Sequence, residues 1–356
     1  MKILYAASSV GHINNFHKSY IEALRNDGNT VLVMANGNGA DFDIPFEKKL
    51  FSSKNRSCRK QIRHILDAEK FDAVILNTTL AAFHIRLAMR GKSRPRVINI
   101  VHGYLFSLMG GGLRRRMLLF CERYLRRKTD KILVMNNEDL EIAEKYKLSL
   151  DGVAITRGMG ATARNVELDR LEMRNRLSSE NNYVMTFVGE LSDRKNQALL
   201  IEGLKEIKKE ISNAVLWLVG EGEKRDGLEA LSVRLGVFDS VRFVGYTDSP
   251  CDFVGASDLY VSASRIEGMP FNIIEALGVG MPIVASDIKG HRDLLSSGAG
   301  VLFKSCDASA FSGAVIAHFK GEAHILSEKA HEVYEKYSFN SVFDETYAKI
   351  KEALEP

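Results

Sequence analysis

The chain has 356 residues, more than one ordinary hydrophobic core supports, and 45% of them are apolar, enough to fill two. Six prolines and no low-complexity stretch exclude a disordered or fibrous protein. The net charge of +4 hides an asymmetry: residues 1–160 hold 27 Lys and Arg against 15 Asp and Glu, and the remainder hold 22 against 30, so a negatively charged partner is expected to touch one half only.

The amino-terminal run Lys2–Ala7 is too short in apolar content for a signal peptide and reads as a first strand. No run approaches the roughly 18 apolar residues a membrane span needs. Cys58, Cys121, Cys251 and Cys306 lie far apart and form neither a CxxC pair nor a ligand cluster with histidine, so a reducing, cytoplasmic setting is expected. Strand-length runs at Thr30–Ala35, Ala73–Asn77, Val97–Val101 and Lys131–Met135 alternate with helical patterns. One of these, Asn15–Asp27, is apolar at Phe16, Tyr20, Ala23 and Leu24 and closes at Gly28.

A polar stretch from Thr156 to Glu180 lacks a core-like strand, and the pattern restarts at Tyr183–Gly189. Strands follow at Val215–Val219, Val241–Val244, Leu259–Ser262 and Pro282–Ala285, and His331–Leu354 reads as helices. The expected class is α/β with two Rossmann-like domains facing each other across a cleft, where the carboxyl ends of parallel strands bind ligands. The expected boundaries are 1–158 for the first domain, 159–180 for a linker and 181–334 for the second, with a C-terminal helix 335–356 packing back onto the first.

The first turn, Ser8-Ser9-Val10-Gly11-His12, has one glycine where a dinucleotide fold wants three, and the second strand ends Ala35-Asn36 without the acid expected on an NAD ribose, which disfavours hydride chemistry. In the second half, the strand Phe187-Val188-Gly189 leads to Arg194-Lys195, two cations able to clamp a diphosphate. Further on stand Glu267-Gly268-Met269-Pro270-Phe271-Asn272 and Glu275, a glycine turn running into a helix with Pro270 near its first position. The helix start is expected to attract an anion, and the two glutamates to accept hydrogen bonds from separate diols of one ligand.

These blocks resemble glycosyltransferase family 4, the large retaining group with the GT-B fold. The match rests on Glu267 and Glu275 with seven residues between them, and on Gly280-Met281-Pro282-Ile283-Val284-Ala285-Ser286. It extends to Leu218-Val219-Gly220-Glu221-Gly222 and Val241-Arg242-Phe243-Val244-Gly245, all in the family's order. The resemblance implies that Arg194 and Lys195 hold the donor's diphosphate, Glu275 the ribose hydroxyls and Glu267 the transferred sugar. The backbone of Gly268, Met269, Pro270, Phe271 and Asn272 would line the pocket, with Tyr246 beside the base.

His102, after a strand and before Gly103, matches the family's histidine near the donor sugar. Gly11 and His12 stand where the family often has a Gly-Gly loop. The implied activity is transfer from a nucleotide diphosphate sugar, a UDP-sugar, to a glycan acceptor in surface polysaccharide synthesis. Alternatives are a sugar-nucleotide epimerase of the same fold, or a non-catalytic nucleotide-sugar binder. No Asp-x-Asp is read in either half as a ligand set for Mg²⁺ or Mn²⁺, so no metal and no cofactor is expected; Arg194, Lys195 and the helix start would stabilise the leaving diphosphate. Glu267 as a nucleophile is the less favoured mechanism beside attack on the leaving-group side.

The segment Gly110–Lys128 carries Arg114, Arg115, Arg116, Arg123, Arg126, Arg127 and Lys128 against Glu122 alone. At helical spacing Leu113, Met117, Phe120, Cys121, Tyr124 and Leu125 share a face with arginines beside it, the composition of a helix lying on anionic lipid. A peripheral place on the inner face of the plasma membrane and a lipid-linked acceptor are expected. The alternative is a core helix with a solvated basic face. Nucleic acid is not expected as a partner, because Tyr124 alone is a poor stacking platform.

Overall fold

A computed structural model describes the chain except for residues 48, 92–93, 109–110, 163–165 and 356. It divides into two compact units, Met1–Gly160 with Asn340–Pro356, and Ala161–Phe339. Among the described residues, no helix is long and apolar enough to cross a membrane.

In the first unit the strands are β1 (Lys2–Ala6), β2 (Thr30–Ala35), β3 (Phe42–Asp43), β4 (Ala73–Asn77), β5 (Arg96–Val101), β6 (Lys131–Val134) and β7 (Val153–Ile155). They form one parallel sheet in the order β3-β2-β1-β4-β5-β6-β7. β4 is buried along its whole length, as a parallel strand covered on both faces must be. The order reverses between β1 and β4, so the loops after β1 and β4 open at a topological switch point.

The helix expected over 15–27 is two helices, Val10–Phe16 and Lys18–Asn26, broken at His17. The His17 N–H caps the first by donating to the Ile13 carbonyl at 2.8 Å, and its buried ring is held at 2.9 Å from the Tyr5 hydroxyl. A side chain drawn into the sheet overrides the helical period. The C-terminal helix, Phe339–Leu354, is tied to the first unit by Thr346 on the Gly158 carbonyl, Tyr347 on Asp27 and Lys349 on the Ile155 carbonyl.

The second unit holds β8 (Tyr183–Val188), β9 (Ala214–Val219), β10 (Val241–Gly245), β11 (Leu259–Ser262), β12 (Ile283–Ser286) and β13 (Val301–Phe303), parallel in the order β10-β9-β8-β11-β12-β13. Its switch point lies between β8 and β11. The expected linker 159–180 is corrected here. From Ala161 the chain clusters with the second unit, and helix Arg170–Arg176 buries Met173 against Val184, Val215 and Trp217. Arg174 donates to the Ala256 carbonyl at 2.8 Å and pairs with Asp258 at 2.7 Å. So polar a segment places only Leu168, Met173 and Leu177 on the core, and of these only Met173 lies in the helix, too little to show in the sequence. Residues 163–165 of that stretch lie outside the described residues.

Candidate active site

The switch point of the second unit brings the loop after β8 against the loop after β11. The Arg265 N–H donates to the Arg194 carbonyl at 2.9 Å, and the Arg265 guanidinium reaches Asn196 Oδ1 at 2.9 Å. Asn196, which precedes helix Gln197–Glu210, takes a left-handed backbone with φ of 58° and donates to the Ala263 carbonyl. These bonds fix Arg194 and Lys195 over Glu267. Glu267 Oε2 accepts from Arg194 Nη1 at 2.6 Å, and Oε1 lies 2.7 Å from Lys195 Nζ.

Glu267 is 8% exposed and Lys195 9%. Burial alone would raise the Glu267 pKa; the charges of Lys195 and Arg194 outweigh it and hold the group down at about 2. The carboxylate is therefore ionised at neutral pH. Both cations expected on a diphosphate are engaged by Glu267 here, leaving the trio one net positive charge, and only Arg194 keeps a substantially exposed side chain, 39%.

Helix Phe271–Gly278 has Pro270 as its N-cap, next to its first position as expected. Asn272 ties the helix start to β8 by donating to the Val188 carbonyl at 3.0 Å, and its own Oδ1 accepts the Ile273 N–H. Gly268, Met269 and Pro270 are buried, whereas Phe271, Asn272 and Glu275 are half-buried. Tyr246 is 73% exposed, with its hydroxyl on Asp248 at 2.8 Å.

Sequence reasoning missed three residues beneath this loop. The Tyr260 hydroxyl of β11 sits 3.3 Å from both the Val188 N–H and carbonyl; burial, with Glu275 and Glu267 adding, pushes its pKa up. His291 is fully buried, with Nδ1 2.7 Å from the Ser286 carbonyl and Nε2 3.4 Å from Ser262, and burial lowers its pKa to about 4 despite the pull of Glu267. Gly290 carries no Cβ because one would lie 2.8 Å from the Gly268 carbonyl oxygen and 3.0 Å from that of Glu267. The only hint in the sequence is a Gly-His pair shortly after a strand end.

In the first unit, Gly11 is exposed in the first turn of helix Val10–Phe16, and a Cβ there would meet nothing within 4 Å, so no close backbone approach within the fold demands it. The carboxyl end of β5 carries His102 to His12 and His17, their ring centroids 4.7 and 4.9 Å from that of His102. Burial depresses the pKa of all three, that of His12 to about 4. One Asp-x-Asp does occur, Asp41-Phe42-Asp43, which the expectation of no acidic ligand pair passes over. Its carboxylates accept the Val33 N–H at 2.7 Å and the Gly37 N–H at 3.0 Å, so they shape the sheet edge.

The basic segment forms helix Leu113–Leu125 and a short 3₁₀ turn, Arg126–Lys128; Gly110 lies outside the described residues. Its apolar residues divide between two faces: the expected face holds for Leu113, Met117, Phe120 and Tyr124, but Leu125 is buried and Cys121 half-buried. Leu118, Leu119 and Leu125 are buried, whereas Leu113, Phe120 and Tyr124 are 83%, 67% and 66% exposed, with Met117 beside them. Glu122 turns inward to a two-pronged pair with the buried Arg86 at 3.0 and 3.1 Å. Arg115 is bound to the Ser107 and Leu108 carbonyls, and Lys128 to those of Arg86 and Met89. Arg114, Arg116, Arg123 and Arg127 are exposed, and Arg126 half-buried.

Two families match in chain order: "Glycosyltransferase Family 4" over residues 15–155 and "Glycosyl transferases group 1" over 169–337. The chain belongs to the family 4, group 1 glycosyltransferases and is an enzyme of that class with the GT-B fold. EpsD of Bacillus subtilis (strain 168), which carries a glycosyltransferase name, is 27% identical over 87% of this chain and 85% of its own. The UDP-Gal:alpha-D-GlcNAc-diphosphoundecaprenol alpha-1,3-galactosyltransferase of Escherichia coli is 26% identical over 71% and 67%. The structure of Anabaena Alr3699/HepE in complex with UDP-glucose shares the fold at a TM-score of 0.77 and 17% identity, covering 99% of this chain and all of that one.

Proposed function

We propose that this glycosyltransferase moves a sugar from a UDP-sugar to a lipid-linked glycan in surface polysaccharide synthesis, with retention at the anomeric carbon and no metal at the diphosphate. The observation that carries the reading is the buried Glu267 carboxylate held between Arg194 and Lys195. Ionised and doubly paired, Glu267 is a poor proton donor and a weak nucleophile; it suits acceptance of hydrogen bonds from sugar hydroxyls. Arg194, the exposed cation, turns to the diphosphate, while Lys195 keeps the carboxylate compensated. The backbone from Gly268 to Asn272 flanks the sugar and phosphates, Glu275 takes the ribose and Tyr246 the base. His102 and the Gly11-His12 loop, in the first unit, stand at the family's positions for a sugar contact.

In the reaction, the bond from the anomeric carbon to the β-phosphate oxygen breaks, and one to the acceptor oxygen forms on the same face. A phosphate oxygen takes the acceptor's proton, and UDP departs with its charge met by Arg194 and the start of helix Phe271–Gly278. The E. coli relative named for UDP-Gal and the HepE complex with UDP-glucose support uridine as the base. The diphosphoundecaprenol acceptor in that relative's name and the exposed Leu113–Tyr124 stripe support a lipid-linked acceptor met at the inner face of the plasma membrane.

The test is thermal unfolding with UDP-, GDP-, ADP- and dTDP-sugars in the presence of chelator, for the native chain and Glu275→Ala. A ligand at a hundred times its Kd stabilises by about 2.7 kcal/mol. A response to UDP-sugars alone, lost in Glu275→Ala, is expected. A response to another base, or one indifferent to the substitution, overturns the donor assignment.

A further inference from the structure

His102 lies far along the chain from His12 and His17, yet one ligating nitrogen from each of the three lies within 4.8 Å of the other two, and they are the single such group of His, Cys, Asp or Glu among the described residues. His12 Nε2 and His17 Nε2 are 3.3 Å apart. Two nitrogens bound to one tetrahedral zinc ion at about 2.0–2.1 Å stand about 3.4 Å from each other. The three rings are splayed rather than stacked: His102 meets His12 at 76° and His17 at 81°. Rings converging on one point have this arrangement.

Two further features belong to a built site. The other nitrogen of His17, Nδ1, is 2.9 Å from the buried Tyr5 hydroxyl, the outer partner that fixes the orientation of a ligating imidazole. His102 Nε2 is buried with no hydrogen-bond partner, a cost an ion removes.

We infer that His12, His17 and His102 form a three-histidine site for a borderline divalent ion of the zinc type, with the fourth position open to water or a ligand oxygen. An all-nitrogen set does not suit Mg²⁺, which takes oxygen ligands, so this is not a diphosphate metal. The inference goes beyond the transferase reading and departs from the expectation of no metal. An ion on His102 Nε2 excludes that nitrogen from a sugar hydroxyl, so zinc is expected to oppose transfer.

The test uses tag-free, chelator-stripped protein without donor, titrated with Co²⁺ and followed by its visible d–d absorption, then competed with Zn²⁺. One tetrahedral Co²⁺ per chain, displaced by Zn²⁺ and untouched by Mg²⁺, is expected. His12→Ala and His102→Ala should each weaken binding by about 100-fold, and Tyr5→Phe by about 10-fold, as loss of an outer partner does. Circular dichroism reports whether each variant is folded; if His102→Ala is not, the variant at the half-buried His12 decides the question. A weak six-coordinate spectrum, no binding, or binding unchanged in the folded His12→Ala overturns the site. Because donor is absent, its failure is separate from any failure of the UDP-sugar assignment.

Discussion

Glu267 and Lys195 stand 2.7 Å apart, a carboxylate and an ammonium both buried within one loop pair of the second unit. Removing one partner of a buried pair strands the other's charge, at about 3–5 kcal/mol. Arg194 still faces Glu267 when Lys195 is lost, so Lys195→Met is expected near the lower end, about 3 kcal/mol, with the Glu267 pKa rising. The double variant Lys195→Met, Glu267→Gln should regain part of that loss. Denaturant unfolding of the cycle measures it; strictly additive losses would show that the two groups do not stabilise each other.

Gly290 offers a substitution that disturbs the Glu267 loop without removing a charge. A methyl group there falls 2.8 Å from the Gly268 carbonyl oxygen, backbone that has to move. Gly290→Ala is expected to keep the fold and weaken donor binding by at least about tenfold, roughly 1.4 kcal/mol, because the displaced segment is the one proposed to line the sugar pocket. Calorimetric titration with the donor checks this, and an unchanged Kd would place the sugar elsewhere.

Stability should depend on pH in two steps. His291 and His84 have folded pKa values lowered to about 4, chiefly by burial, against an ordinary 6.5. The unfolded chain therefore takes up their protons first; their contribution is complete above about pH 6.5 and drains as pH falls toward 4. Glu267, lowered to about 2 from 4.5, contributes fully above 4.5 and loses that contribution as pH falls toward 2. The thermal midpoint should decline in both windows as pH falls, with His291→Gln making the upper decline shallower while the other buried imidazoles keep the rest. Unaltered midpoints between pH 6.5 and 4 would contradict the buried neutral imidazoles.

The sheets were legible because interior parallel strands are continuous apolar runs; Ala73–Asn77, Thr30–Ala35 and Leu259–Ser262 match residue for residue. The missed strands, Phe42–Asp43, Val153–Ile155 and Val301–Phe303, are two or three residues long and sit at sheet edges, where pairing on one side needs little apolar sequence. At the site, the Glu267 loop and Arg194-Lys195 could be read from spacing, but their pairing could not, since 71 residues or more separate the partners. His12, His17 and His102 come together only through the break at His17 and the end of β5, neither of which periodicity reports.

The helix Leu113–Leu125 is where the membrane proposal can be tested, because its outward face is apolar and basic at once. Leu113, Met117, Phe120 and Tyr124 recur at steps of four, three and four, and Phe120 stacks on Tyr124 with ring centroids 6.4 Å apart. Arg114, Arg116 and Arg123 flank that stripe and are exposed, whereas Arg115 and Lys128 hold the fold together and should be left intact. Each cation near an anionic leaflet contributes about 1 kcal/mol, so reversing Arg114, Arg116 and Arg123 to Glu should weaken vesicle binding by at least about 3 kcal/mol, roughly a hundredfold. Phe120→Ser removes the apolar contribution, about 1.5–3 kcal/mol when fully buried. Co-sedimentation with phosphatidylserine vesicles should show both losses, no binding to neutral vesicles, and release at high salt, where screening shortens to about 3 Å. Binding that survives the three reversals would mean that another face meets the vesicle, and would overturn the lipid-surface reading of this helix.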